Sequence, residues 1–284
     1  MEAFTQTEDG QSLKTALLRQ LNLNSRAAGD LIRTGQVKVN GVRTRENVTL
    51  ARGDRLEVYL PAARTAPPPV LFAGEHVLVV EKPTGAAVCD TPGLTVTELL
   101  RRGGWPTVRP VHRLDVYTGG VLFFALDDEA EEALGQLIRD RALTKIYECV
   151  VRGTPKPAEA VRKAYLRKDA DAARVDIFDR EVRSSREIVT GYEVLKTDGA
   201  LSRLKVTLFT GRTHQIRAHL AHLGYPLVGD DLYGDRVLNK ARRLSHPLLW
   251  SVASTVPGDV PPVLAEIAGK TFTSPARFPQ KIGL

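Results

Sequence analysis

The chain has 284 residues, 43% of them hydrophobic, which is enough to bury one large core and a second, small one. No apolar run approaches the roughly 18 residues that a membrane-spanning helix needs, and the acidic start of the chain lacks an apolar signal segment, so we expect a cytoplasmic protein without membrane contact. Two cysteines exclude a disulfide framework, and the net charge of +7 is compatible with a polyanionic partner.

The start of the chain predicts a tail followed by two short helices. We expect residues 1–10 to form a disordered tail. After the tail, leucines recur every four residues, as on one face of a helix, at Leu13, Leu17 and Leu21. Ser25 is a good N-cap for a second helix over 26–34, which should end at Gly35.

A basic hairpin is predicted next. Asn40-Gly41 lies between short alternating runs and is typical of a two-residue hairpin turn. A last strand is indicated by the alternation of Leu56, Val58 and Leu60. Residues 11–58 carry nine Lys and Arg against four Asp and Glu, so most of the excess positive charge of the chain lies in this piece.

Two short helices followed by a basic hairpin resemble the alpha-L RNA-binding motif of a small-subunit ribosomal protein, of heat-shock RNA-binding proteins and of several RNA-modifying enzymes. The resemblance implies a small α/β RNA-binding domain over 11–60. Its phosphate-contacting residues would be Arg26, Arg33, Lys38 and Arg43. The alternative is that these are ordinary solvated charges on a small domain.

A domain boundary is predicted at 61–70, because Pro61–Pro69 has turn and polyproline composition without periodicity. Beyond this linker, β-type runs alternate with helical stretches near 128–141 and 213–223. The runs are Val77–Val80, Val121–Leu126 and Leu204–Phe209. The irregular spacing of the helices favours an α+β domain over 71–284, with a mixed, mainly antiparallel sheet, rather than a doubly wound fold.

The stretch most informative about chemistry is Arg109–Gly120, which reads Arg-Pro-Val-His-Arg-Leu-Asp-Val-Tyr-Thr-Gly-Gly. It places His112, Arg113 and Asp115 on a loop that enters an apolar strand. The spelling His-Arg-Leu-Asp-x-x-Thr-x-Gly resembles the active-site motif of the RluA family of pseudouridine synthases. The family usually has Ser where this chain has Gly119, a change that removes a hydroxyl and spares the acid and the arginine.

Further segments match the same family in order. Lys145-Ile-Tyr147 places an aromatic side chain on one face of a strand, and Glu81–Gly85 resembles a structural turn of the family. Tyr225–Gly234 continues the family pattern, and 242–247 matches it partially. Gly211–Gly224 reads as a helix whose core face would carry Ile216, Leu220 and Leu223.

On that helix, His214 and Arg217 share a different side from the core face, which directs Arg217 towards the predicted cleft. His219 and His222 lie on a face without His214, and the His-Glu-x-x-His signature is absent, so we expect no metal. No nucleotide-binding loop is present either, so we expect no cofactor.

The family resemblance implies an isomerase that detaches uracil from its ribose and reattaches it through carbon. Asp115 would be the catalytic aspartate, held ionised by Arg217 through two parallel hydrogen bonds. Tyr147 would stack on the extruded base, Arg113 would fill the gap that the base leaves, and His112 would contribute to RNA binding.

We expect a monomer that acts on structured RNA, with large-subunit ribosomal RNA favoured by analogy with relatives that carry the extra N-terminal domain. Transfer RNA is the alternative target. A catalytically inactive RNA-binding protein and a metal-dependent RNA hydrolase are the competing classes. A single-turnover isomerisation assay would test the first, and inhibition by chelators the second.

Overall fold

A computed structural model describes residues 2–21, 25–59, 66–90, 94–169 and 174–284 of the chain. Within these ranges, no description covers the side chains of Arg26, Ala27 and Lys281.

The chain divides into two compact units. One contains Met1–Pro68 and Gly85–Pro106, and the other contains Pro69–Thr84 and Thr107–Leu284. The division places residues 85–106 with the first unit, whereas the sequence analysis included them in the second domain. Residues 61–65 of the predicted linker lie outside the described residues, and the limits of the functional domains remain a prediction.

The first unit combines short strands with helices. Its strands β1, β6, β3 and β4 form an antiparallel sheet in that order, and β2 pairs with β5. Its described elements are β1 (Glu2–Thr5), β2 (Gln11–Ser12), α1 (Leu13–Leu21), α2 (Ser25–Arg33), β3 (Val37–Val39), β4 (Val42–Thr44), β5 (Thr49–Leu50), β6 (Arg55–Val58) and α3 (Val96–Arg102).

The prediction of a disordered tail is wrong for the described residues 2–10. Strand β1 pairs with β6, from Glu2 opposite Val58 to Thr5 opposite Arg55. The partner strand lies far along the chain, so the pairing leaves no local periodic signal in the sequence.

The predicted helices and hairpin of this unit are confirmed, although α2 begins at Ser25 rather than after it. The three periodic leucines of α1 are buried. Helix α2 ends at Arg33, and Gly35 follows in a left-handed conformation with φ 67°. Asn40 and Gly41 have φ angles of 51° and 81° and join β3 to β4, as a tight hairpin turn requires. Leu60 lies outside the described residues.

The second unit is built on a large sheet whose main strands follow the order β13-β12-β14-β15-β11-β16-β10-β8-β7. Strands β17 and β9 join it at β16 and β10. The strands are β7 (Val70–Ala73), β8 (Val77–Lys82), β9 (Arg109–Pro110), β10 (Gly119–Ala125), β11 (Thr144–Arg152), β12 (Glu159–Asp169), β13 (Arg174–Phe178), β14 (Arg186–Thr197), β15 (Leu201–Leu208), β16 (Leu249–Thr255) and β17 (Thr271–Thr273).

The sheet confirms the predicted α+β class. Strands β10 and β16 run parallel, and the other described strand pairs of this unit are antiparallel. The helices are α4 (Asp128–Arg139), α5 (Gln215–His222) and α6 (Arg236–Ala241), with 3-10 turns at Pro262–Ile267 and Gln280–Ile282. Helices α4 and α5 correspond to the stretches predicted near 128–141 and 213–223, and α6 was not predicted.

The core of this unit determines where its loops emerge. Strands β8 and β10 are buried at every position, and Phe123 of β10 packs with α4 and the first 3-10 turn. Helix α5 packs through Ala218 against Ala164 of β12 and Ile188 of β14. Among the described helices of the chain, none has the length and hydropathy to cross a membrane.

Candidate active site

Asp115 lies on the loop between β9 and β10. The backbone N–H of Thr118 donates to the carbonyl of Asp115 at 2.9 Å and closes a turn around it. The loop leads into β10, which is buried throughout, while the Asp115 side chain keeps 26% of its surface exposed. The Asp115 carboxylate is thus held on a loop just before a buried strand, with part of its surface exposed.

Lys82, at the end of β8, anchors the loop that carries Asp115 through hydrogen bonds to backbone carbonyls. Its ammonium is fully buried and donates to the carbonyls of Pro83, Val116 and Thr118 at 3.0, 2.9 and 2.9 Å. Burial lowers the pKa of Lys82 to about 7, and the charge of Asp115 opposes that shift. Three carbonyl acceptors match the three N–H bonds of an ammonium, so the protonated form fits this position.

Arg217 of α5 connects two carboxylates. Its Nη1 donates to Asp115 at 3.2 Å, while its Nε and Nη2 donate to the two oxygens of Asp230 at 2.7 and 3.0 Å. Burial alone would lower the pKa of Arg217, but hydrogen bonds and charge from Asp230, with the charge of Asp115, raise it. The arginine therefore stays charged beside Asp115.

The expectation that Arg217 meets Asp115 through two parallel hydrogen bonds is wrong. The two-pronged contact goes to Asp230, whose side chain is fully buried, and Asp115 receives one hydrogen bond. Asp230 is more deeply buried than Asp115, and this difference explains why Arg217 forms its bidentate contact with Asp230. A fully buried carboxylate has no water to satisfy it and needs the stronger, bidentate partner.

Asp230 belongs to the site but was not predicted as a site residue from the sequence. Its Oδ1 also accepts the backbone N–H groups of Leu232 and Tyr233, at 2.9 and 3.2 Å. The loop that carries it is tied to α6, since Asn239 accepts the N–H of Gly229 at 2.7 Å. The only signal in the sequence was the match of Tyr225–Gly234 to the family pattern.

His214 lies next to Asp115 and precedes α5 in a left-handed conformation, with φ 55°. Its Nδ1 is 3.0 Å from the hydroxyl of Tyr233, and its Nε2 is 4.0 Å from Asp115. The hydroxyl of Tyr233 also accepts the N–H of Val175 at 2.9 Å, which fixes the phenol beside the imidazole.

Burial keeps this imidazole neutral, because it lowers the pKa of His214 more than the charge of Asp115 raises it. The prediction that His214 and Arg217 share one side of the helix is confirmed by their common contact with Asp115. Ile216 and Leu220 are buried as predicted, and Leu223 is half-buried.

Tyr147 occupies β11, opposite Val206 of β15 and Ser251 of β16. Its side chain is buried, with 6% of the residue surface exposed. Burial raises the pKa of the Tyr147 hydroxyl, and the negative charge of Asp115 raises it further, so the phenol keeps its proton. The charge of Asp115 therefore acts on the hydroxyl of Tyr147, and the stacking role of this tyrosine stays a prediction.

The two remaining members of the motif differ in their surroundings. Arg113 is exposed on the loop. His112 accepts the backbone N–H of Phe123 at 3.2 Å through Nε2, and burial and the charge of Lys145 hold its pKa well below the ordinary value. His112 is thus a neutral anchor of the loop, and the RNA-binding role of both residues remains a prediction.

Gly119 and Gly120 bring β10 close to β16. A Cβ at Gly119 would overlap the indole ring of Trp250, and one at Gly120, where φ is 109°, would overlap the carbonyl of Ser251. Trp250 is fixed in turn, since its Nε1 donates to Ser274 at 2.9 Å. The glycine that departs from the family pattern therefore makes room for a buried tryptophan.

The histidines near α5 have separate partners. His214 contacts Tyr233, His219 contacts Thr190, and His222 contacts Asp179. Within the part of the chain that the structure describes, no three His, Cys, Asp or Glu residues are grouped so as to hold a metal ion.

The predicted phosphate contacts of the first unit lie on different elements. Lys38 and Arg43 face each other across β3 and β4, with their charges 5.3 and 5.9 Å from the ring centre of Tyr59. Arg33 is exposed on α2 and forms an ion pair with Asp30 at 2.8 Å. The side chain of Arg26 lies outside the described residues.

Comparison with known proteins identifies the family that this chain matches. The family model described as RNA pseudouridylate synthase matches residues 76–222, a range that includes Asp115, Tyr147 and Arg217. An uncharacterised RNA pseudouridine synthase of Synechocystis is 32% identical over 81% of this chain and 77% of its own length. Ribosomal large subunit pseudouridine synthase D of Xylella fastidiosa is 34% identical over 72% of this chain and 65% of its own length.

Among solved structures, human RNA pseudouridylate synthase domain containing 1 has a TM-score of 0.60 and 22% sequence identity. The match covers 79% of this chain and 96% of the human chain, and it supports the fold alone.

Proposed function

Because this chain belongs to the RNA pseudouridylate synthase family, we propose that it isomerises uridines in large-subunit ribosomal RNA. The enzyme class follows from the family, and the chain is an RNA pseudouridine synthase. The observation that supports the choice of RNA is the relative from Xylella fastidiosa whose name specifies the ribosomal large subunit. A ribosomal substrate also implies the cytoplasmic location expected from the sequence.

The reaction breaks a glycosidic bond and forms a carbon–carbon bond without net oxidation or loss of atoms. A carboxylate can attack the ribose, add to the uracil ring or remove a proton from the sugar only when it is ionised. We assign this role to Asp115, because it is partly exposed and accepts a hydrogen bond from the charged guanidinium of Arg217. Arg217 is the positioning partner, held by Asp230.

Extrusion of the target base requires compensation, since unstacking costs a few kcal/mol. In the proposal, Tyr147 forms the wall on which the extruded uracil stacks, and Arg113 enters the vacated space in the RNA. Two observations support these roles. The negative charge of Asp115 raises the pKa of Tyr147, and Arg113 is exposed on the same loop as the Asp115 carboxylate.

The first unit would supply affinity rather than chemistry. Its hairpin presents Lys38 and Arg43 side by side around Tyr59, which suits contacts to phosphates from two cations and a ring. Arg33 would extend this surface on α2.

The experiment that tests the proposal is nucleotide-resolution mapping of pseudouridine in cellular RNA, with and without the gene. We expect one or more sites in large-subunit ribosomal RNA to disappear on deletion and to return with the wild-type gene but not with Asp115→Asn. Sites lost only from transfer RNA would contradict the ribosomal assignment and leave the enzyme class intact.

A further inference from the structure

A second polar pocket lies behind α5, between the C-terminal half of that helix and strands β12 and β14. Its volume is about 290 Å³, and its lining includes Lys156, Arg162, Tyr192, His219, His222 and Tyr225. His219 follows Arg217 by two positions, and residues two apart on a helix point to nearly opposite sides. Arg217 faces Asp115, whereas His219 faces Thr190 and this pocket.

His219 is the most unusual group in the pocket. It is fully buried, its Nδ1 lies 3.0 Å from the hydroxyl of Thr190, and its Nε2 is buried without a hydrogen-bond partner. A buried polar atom left unpaired costs free energy, and such atoms are rare in native proteins.

The hydrogen-bond network decides which nitrogen of His219 carries the proton. The backbone N–H of Arg212 donates to Oε1 of Gln215, and Nε2 of Gln215 donates to the carbonyl of Val189, which fixes the orientation of the amide. The same Nε2 donates to the hydroxyl of Thr190 at 3.0 Å.

Thr190 is fully buried, and its hydroxyl proton needs an acceptor. Nδ1 of His219 is the acceptor that its described contacts offer, so the ring proton of His219 is on Nε2. Burial lowers the pKa of His219 to about 4, more than the charge of Asp179 raises it, and the ring is therefore neutral. His219, which lines the pocket, thus has a buried N–H donor that lacks an acceptor among the described residues.

The charges around this donor favour an anion. Lys156 and Arg162 are exposed at the pocket and, among the described residues, have no carboxylate partner. The one acid in the lining, Asp179, is already paired with His222 at 2.7 Å. The hydroxyl of Tyr225 accepts the N–H of Lys156 at 3.1 Å, so its own proton is available as a further donor.

We propose that this pocket binds a phosphate group, and that in this RNA-modifying enzyme the phosphate belongs to the backbone of the RNA substrate. The Nε2–H of His219 and the hydroxyl of Tyr225 would donate to its oxygens, and Lys156 and Arg162 would neutralise its charge. The contact is independent of base sequence, so it serves ribosomal and transfer RNA alike.

Two arms of one experiment separate free phosphate from RNA phosphate, both with the full chain. In the first arm, inorganic phosphate is titrated while the Nε2–H resonance of His219 is followed by NMR, with His219→Gln for assignment. We expect a saturable shift in the wild type that is lost in Lys156→Ala/Arg162→Ala. The matched control, Lys168→Ala/Arg186→Ala, removes two exposed cations of β12 and β14 that do not line the pocket, and should keep the shift.

In the second arm, the affinity for a labelled RNA hairpin is measured against salt. Each lost phosphate contact should lower the slope of log affinity against log salt by about 0.7 to 0.9, so Lys156→Ala/Arg162→Ala should flatten it and the control should not. A phosphate shift with an unchanged RNA slope would overturn the RNA source and leave a site for a free anion. Absence of a saturable shift at His219 in the wild type would overturn the pocket itself.

Discussion

Arg217 donates hydrogen bonds to Asp230 from two nitrogens, at 2.7 and 3.0 Å, and to Asp115 from the third, at 3.2 Å. The buried acid therefore orients the arginine, and the arginine in turn orients the partly exposed acid. This division means that Asp115 can lose its charge without leaving Arg217 unpaired. It also means that the geometry of the guanidinium, and not only its charge, is needed at position 217.

Arg217→Lys tests whether position 217 requires the several fixed N–H donors of a guanidinium. A lysine keeps the charge but cannot bond both oxygens of Asp230 and reach Asp115 at the same time. Misplacement of a reacting group by about 1 Å can cost 10²-fold in rate, and we expect a loss of about that size in single-turnover pseudouridine formation. The control is Arg212→Lys, at an exposed position near the same helix. Equal rates for Arg217→Lys and the wild type would show that charge alone suffices.

Lys82→Met tests the anchoring of the catalytic loop. The substitution keeps most of the buried volume but leaves the carbonyls of Pro83, Val116 and Thr118 without their common donor. We expect the rate to fall at saturating RNA because the loop that carries Asp115 loses its anchor, with RNA affinity little changed. Lys168→Met, on the exposed surface of β12, should change neither. A normal rate in folded Lys82→Met would rule out the anchoring role.

Gly119→Ser introduces the residue usual in the family, and here we expect it to destabilise the protein. Its Cβ would overlap the ring of Trp250, and overpacking of a core typically costs about 1–3 kcal/mol. Urea unfolding of Gly119→Ser, Trp250→Leu and the double variant measures the coupling between the two sites. We expect the double variant to be more stable than the sum of the single effects. Simple additivity would argue against a shared space.

The hairpin of the first unit can be tested by salt dependence. Lys38→Ala/Arg43→Ala should weaken RNA binding and reduce the slope of log affinity against log salt by about 0.7 to 0.9 for each lost phosphate contact. Arg19→Ala is the control, because that arginine is exposed and paired with Glu8 on another element. A slope that matches the wild type would exclude these two residues from the RNA interface.

Features that depend on neighbouring residues could be predicted from the sequence. The leucine period of α1 and the turn at Asn40-Gly41 each follow from local spacing, whereas the strand position of Tyr147 was predicted from the match of Lys145-Ile-Tyr147 to the family. The roles of Asp115 and Arg217 were predicted from two segments whose sequences match the family motifs specifically.

Features that depend on distant contacts could not be predicted. The role of Asp230 requires the loop before α6 to fold back onto α5, and the pairing of β1 requires β6. The reason for Gly119 is a tryptophan on β16, and nothing in the spacing of the sequence connects the two.

The most direct test of the account is Asp115→Asn, which keeps the size of the side chain and removes its charge. Pseudouridine formation should fall below detection in single-turnover assays, while RNA affinity changes little because phosphate contacts by Lys and Arg dominate it. The melting temperature should also stay close to that of the wild type, since Arg217 keeps its two hydrogen bonds to Asp230. A folded Asn variant that isomerises uridine at a rate near that of the wild type would contradict the assignment of Asp115 as the catalytic residue.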